Sequence, residues 1–305
     1  MNAKTTVCIV AVVLAAGGVP NAQRRGGAPP QGPGGPGRGA RATTGTVERI
    51  TVHGKAIESN SQGESPDRAV TIYLPPSYAG DQARRFPTIY LLHGAGGSES
   101  TFTEVLARLP QSADRLAGAQ GFSEFIVVTP NATPQMGSLY ASSPATGDWE
   151  RFVAEDLVGY VDGHYRTLAH RMSRGLAGHD AGGYAAIRIG MKRPEVFANL
   201  FVMGAAGDPA ALEIDKYASN LNAYYGIAID IGLADPALES SRQLHAAMTR
   251  ARIPHAYEEY DGDHTNKLRE RIEWNILPFF ARNLAAPANL TSPSAAADRL
   301  STAGR

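Results

Sequence analysis

A chain of 305 residues with 43% hydrophobic content can bury one substantial core and needs no second domain. Its 29 basic and 29 acidic side chains cancel and its pI is near 7.1, which removes the electrostatic case for nucleic acid or an anionic membrane surface as partner. The single cysteine, Cys8, rules out a disulfide framework and a thiolate metal centre.

Taken from the N-terminus, Lys4 precedes the apolar run VCIVAVVLAA over residues 7–16. The run is too short to span a bilayer and fits the core of a secretory signal over residues 1–22, with cleavage near Ala22 or within 15–17. Cys8 lies inside it without the small-residue pattern of a lipoprotein site, so export without a stable membrane anchor is expected, to a secreted or periplasmic location. Residues 23–45 are Gly, Pro and Arg with almost no large apolar side chain, and read as a flexible tether. Residues 286–305, rich in Ala, Ser and Pro, read as a matching tail.

Between them, residues 46–285 alternate strand and helix. Strands are expected over 47–52, 69–74, 88–92, 125–129, 172–177, 200–203, 227–231 and 255–260. The dense apolar runs at 88–92, 125–129 and 227–231 suit central strands covered on both faces. Helices are expected over 150–165, 181–192, 238–252 and 266–284, with Pro194 and Pro254 just beyond two of their ends. This alternation predicts an α/β fold built on one doubly wound, mostly parallel sheet.

The run Gly178-His179-Asp180-Ala181-Gly182 has the form of a nucleophile elbow, G-x-S-x-G, with aspartate in the serine position. A strand ahead of it and a helix behind it force the central side chain into a strained, exposed turn. Upstream, the strand ending Tyr90-Leu-Leu-His93-Gly94-Ala95-Gly96-Gly97 supplies a glycine loop of the kind that offers a backbone N–H to an oxyanion. The two donors would be Ala95 and Ala181, the residue after the elbow's centre. Downstream, Asp235 follows a strand, where a carboxylate can hold and polarise a histidine, and His264 sits in the loop Asp-Gly-Asp263-His264-Thr before the last helix. The order 180, 235, 264 is nucleophile, acid, histidine. Trp149 and Tyr140 are candidate substrate-binding aromatics for a phenolic or sugar ring, with packing as the alternative. His93 and His179 flank the two glycine turns and are expected to bond backbone groups, and the remaining histidines lack metal-ligand spacing. Asp261 and Asp263 read as a solvated acidic turn, and no metal or other cofactor is called for.

On these residues the chain resembles the putative-esterase family of α/β-hydrolases, which includes esterase D and feruloyl-esterase-like enzymes. The resemblance runs from about Val47 to Leu284 and rests on YLLHGAGG, SPATGDWERFVAEDLVGYVDGHYRT, AGHDAGGYAAIRIGMKRPEVF and ARIPHAYEEYDGDH. It implies an α/β-hydrolase fold without a large lid domain, acting on small or glycan-linked carboxylic esters or thioesters. It carries over Asp235, His264, Ala95 and Ala181. The family elbow reads G-x-S-M-G-G-Y-G, so Asp180, Ala181 and Ala185 are departures from it.

An aspartate at the elbow leaves three expectations. The first is ester hydrolysis at a reduced rate, with Asp180 as a poor acyl nucleophile or with His264 activating water directly. The second is a non-catalytic esterase relative that binds an ester or glycan, because a second carboxylate beside His264 favours its imidazolium form. The third is attack of Asp180 on an sp³ carbon, the chemistry of haloalkane dehalogenases and epoxide hydrolases, whose G-H-D-x-G-G elbows resemble this one. Those enzymes carry a cap that residues 207–225 are too few to form.

Overall fold

The computed structural model describes residues 44–119, 121–133 and 140–284. The expected signal and tail, and the tether up to residue 43, lie outside the described residues.

The strands are β1 Thr46–His53, β2 Asp67–Leu74, β3 Thr88–Leu92, β4 Ile126–Pro130, β5 Arg174–His179, β6 Asn199–Met203, β7 Gly226–Gly232 and β8 Ala256–Tyr260. They form one sheet in the order β1-β2-β4-β3-β5-β6-β7-β8. The β1–β2 and β2–β4 pairings are antiparallel, and every pairing from β4 to β8 is parallel. This is the α/β-hydrolase sheet, and each expected strand is found within two residues at either end.

The inner strands β3 to β6 are buried at every position because both sheet faces are covered. Tyr90, Leu92, Leu176, Leu200 and Val202 pack on one face with residues of the helical stretch 149–164 and the helices Ala181–Lys192 and Leu238–Arg250. Ile89, Leu91, Ala177, Phe201 and Met203 pack on the other with the helix Leu109–Ala117 and the C-terminal helical stretch 268–283. Period-2 alternation thus divides one run of apolar residues between two cores.

Two boundaries differ from expectation for local reasons. The strand expected from residue 172 begins at Arg174, because His170 Nδ1 and the His170 carbonyl accept from Met172 and Ser173 in a tight turn. Its other end extends to His179, so the strand delivers its last residue directly to Asp180. The helix Leu109–Ala117 was not expected; Pro110 lies in its first turn, where a missing N–H costs nothing.

In parallel α/β sheets, sites form at the carboxyl ends of the strands. Here the loops after β3, β5, β7 and β8 carry Ala95, Asp180, Asp235 and His264 to that one edge.

Candidate active site

Asp180 is the turn between β5 and the helix Ala181–Lys192, at φ 59° and ψ −126°, a conformation costly for any side-chain-bearing residue. Its N–H donates to the Met203 carbonyl at 3.0 Å, and its own carbonyl accepts from Tyr184 N–H at 3.0 Å and Ala206 N–H at 3.3 Å. The turn is possible because its surroundings are glycine. A Cβ on Gly182 would lie 2.3 Å from the Leu92 carbonyl oxygen, and one on Gly94 would lie 2.5 Å from Asp180 Oδ2.

Asp235 and His264, expected as acid and histidine, are brought into contact. His264 Nδ1 lies 2.8 Å from Asp235 Oδ2, while Asp235 Oδ1 accepts from Ala237 N–H at 2.7 Å. The Asp235 side chain is 2% exposed, so its bond to His264 is shielded from water. That bond raises the His264 pKa above the ordinary histidine range; burial opposes the rise, and the Asp235, Asp180 and Asp263 charges add to it. Asp263 is a turn cap, its Oδ1 accepting from the N–H groups of Thr265 at 2.9 Å and Asn266 at 2.8 Å.

Asp180 meets both halves of this machinery. Its Oδ1 lies 3.8 Å from His264 Nε2, beyond hydrogen-bond reach, and its Oδ2 accepts from Ala95 N–H at 2.7 Å. The backbone donor expected to receive a substrate oxyanion therefore holds the chain's own carboxylate. Ala181 is the first residue of its helix, where an N–H has no intrahelical acceptor.

The glycine loop is braced from beneath by His93. Its Nε2 accepts from Ala132 N–H at 3.1 Å, which places the ring proton on Nδ1, and Nδ1 donates to the Gly94 carbonyl at 2.8 Å. Burial holds the His93 pKa low, in keeping with this neutral form. Both flanking histidines, His93 and His179, bond backbone carbonyls as expected.

The two aromatics expected to bind substrate are both fully buried, as their packing alternative requires. Trp149 is fully buried: its Nε1 donates to the Thr146 carbonyl at 2.8 Å, its ring meets Phe152 edge-on, and the Arg68 guanidinium covers it at 4.8 Å. Tyr140 is also fully buried, its hydroxyl accepting from His93 N–H at 3.0 Å. Both pack within the fold, and the Tyr140 hydroxyl holds His93 through its N–H. Arg68, not singled out in the sequence, donates to the carbonyls of Asn131 at 3.2 Å and Thr133 at 3.0 Å, fixing the loop whose Ala132 bonds His93. Only a pairing of β2 with β4 could have signalled it. Among the described residues, no group of three or more His, Cys, Asp or Glu is placed to hold a metal ion.

A parallel sheet with a strand–elbow–helix, an acid after β7 and a histidine after β8 defines an α/β-hydrolase. The model of the family described as "Putative esterase" matches residues 61–274, and the chain belongs to that family. It is 28% identical over 152 residues to an endo-1,4-beta-xylanase/feruloyl esterase of Xylanibacter ruminicola, a match covering 48% of this chain and 21% of that protein. It is 27% identical over 163 residues to the esterase Rv1288 of Mycobacterium tuberculosis, covering 52% of this chain and 32% of the relative. The chain thus spans about a third or less of these two relatives. A solved ferulic acid esterase superposes with a TM-score of 0.67 at 23% identity, covering 78% of this chain and 98% of the other, and shares the fold.

Proposed function

We propose that this chain is a hydrolase of carboxylic esters, with acylated sugars or phenolic esters as the substrate class, in which Asp180 holds turnover low. Family membership and the feruloyl esterase named among the relatives support the ester chemistry. The observation that carries the low rate is the bond from Ala95 N–H to Asp180 Oδ2. A substrate carbonyl must displace an anion from its own oxyanion site before it can be polarised.

The steps follow from the geometry. Once Asp180 Oδ2 leaves Ala95, the ester carbonyl oxygen takes the N–H groups of Ala95 and Ala181. Neutral His264 accepts a proton from water at Nε2 while the water oxygen bonds the carbonyl carbon, and Asp235 stabilises the imidazolium formed. The C–O bond to the leaving group then breaks, and His264 returns the proton to the departing alkoxide. Such a site without a working nucleophile retains about 10³–10⁴-fold catalysis over water.

The test is hydrolysis of a short p-nitrophenyl ester by the full chain and by Asp180→Ser, Asp180→Ala and His264→Ala. We expect low turnover by the parent, its loss in His264→Ala, and a gain of about 10²-fold or more in Asp180→Ser, which restores a nucleophile and vacates the hole. A parent and an Asp180→Ser that both stay at background would overturn the reading and leave a binding protein.

The same bond favours a second reading. With Oδ2 on Ala95 and Oδ1 turned toward His264, Asp180 is poised to attack an sp³ carbon through Oδ1, the carbon–halogen bond breaking to release halide or an epoxide C–O bond opening to an alkoxide that takes a proton from water. Its own ester carbonyl would then already occupy the hole when His264-activated water attacks Cγ. A covalent alkyl adduct on Asp180, seen by mass spectrometry after an epoxide or alkyl halide and absent from Asp180→Ala, would select it. We further read the chain as exported, on the apolar run over residues 7–16.

A further inference from the structure

His179 is the elbow residue whose side chain the chemistry above does not use, and its contacts converge on His264. It ends β5, buried, with its Nε2 2.8 Å from the backbone carbonyl oxygen of His264. Its ring centroid lies 4.5 Å from that of His264, at an interplanar angle of 42°. A carbonyl only accepts, so the His179 proton resides on Nε2. Burial, reinforced by the nearby His264, holds the His179 pKa below the ordinary histidine range, so the ring stays neutral and adds no positive charge beside the His264 imidazolium.

The bond matters because of what else holds His264. Asp235 grips the ring at Nδ1, which fixes one atom and leaves the residue free to pivot about that contact. His179 grips the main chain of the same residue from a different strand, and its ring blocks one side of the His264 ring. The two attachments come from the loop after β7 and from the end of β5, and together they set how far Nε2 stands from Asp180.

We propose that His179 is a positioning residue: its Nε2–H, donated to the His264 carbonyl, holds the His264 ring in register with Asp235 on one side and Asp180 on the other. The inference rests on the placement of His264 and not on the ester reading.

The test compares His179→Gln, whose side-chain amide can reach the Nε2 position, with His179→Phe, which keeps a ring and loses the donor. The readouts are the low-field proton resonance of His264 Nδ1–H and the ring titration of His264, both by NMR on the full chain. We expect the Gln variant to retain both, and the Phe variant to lose the resonance and shift the titration toward the ordinary histidine range. In an Asp180→Ser background, the Phe variant should lower kcat about 10- to 100-fold with little change in KM, as a small misplacement of a catalytic group does. A folded Phe variant with the parent's resonance and titration would overturn the proposal, as would a folded Gln variant that loses them. Should the Phe variant not fold, the Gln variant decides. Absence of ester turnover in Asp180→Ser would count against the ester reading alone, and the NMR comparison would still decide the role of His179.

Discussion

His264 lies between two carboxylates, and its proton affinity follows from which of them it touches. Asp235 is in hydrogen-bond contact and Asp180 is not, so the first dominates the upward shift. We predict that Asp235→Asn lowers the His264 pKa, read by NMR titration of the ring, more than Asp180→Asn does. Because the folded-state pKa is raised, the stabilisation is fully present below the unfolded value of about 6.5 and is lost as pH rises through the folded one. The urea midpoint of the parent should therefore fall across that window, and Asp235→Asn should flatten the fall. At this scale the sequence was readable where chemistry is tied to chain order: Asp180, Asp235 and His264 stand where an elbow, a strand end and a late loop put them. It was not readable for Trp149 and Tyr140. An aromatic side chain near a glycine loop has the same signature whether it faces a ligand or a neighbouring helix, and only tertiary packing separates the two.

The elements were legible in proportion to their apolar periodicity. Most strands of the sheet were visible as short apolar or β-rich runs bounded by turn residues; β5 (Arg174–His179), which lacks β-branched residues, and the helix Ala181–Lys192 were visible because they flank a glycine turn. The helix Leu109–Ala117 was not. It starts after Arg108 in a left-handed conformation and carries Pro110 in its first turn, so its opening reads as a loop. Elsewhere the close approach of elements depends on absent side chains. The helix Ala181–Lys192 meets the end of β3 through Gly182, where a methyl group would be driven against the backbone oxygens of Leu92 and His93. Backbone cannot rotate aside as a side chain can, so the helix must move. We expect Gly182→Ala to cost about 1–3 kcal/mol in urea unfolding and to displace Asp180 with it. An unchanged midpoint would show that the elbow tolerates a wider approach.

Across the whole molecule, the C-terminal helical stretch is anchored to the sheet by charge as well as by apolar packing. Arg271 Nε donates to Asp230 Oδ2 on β7 at 2.9 Å, and its two terminal nitrogens reach Glu258 on β8 at 2.9 and 2.7 Å. Burial pushes the Asp230 pKa up to about 6 despite the guanidinium beside it. Removing the arginine strands that carboxylate between two packed layers. We predict that Arg271→Met destabilises the fold by about 3 kcal/mol in urea unfolding at neutral pH, less in acid where Asp230 takes a proton, and that adding Asp230→Asn recovers much of the loss. The segment so anchored is the one that follows the His264 loop, so the packing of the last helix bears on the site. The contact between Asp180 Oδ2 and Ala95 N–H has a different consequence for the molecule as a whole. Cleavage of an ester leaves an acid, and here a carboxylate already lies in the acid's berth, supplied by the chain and unable to diffuse away. On the proposed ester chemistry a product acid must displace this tethered anion in order to bind, so we expect added acid to inhibit Asp180→Ser more strongly than the parent in a turnover assay.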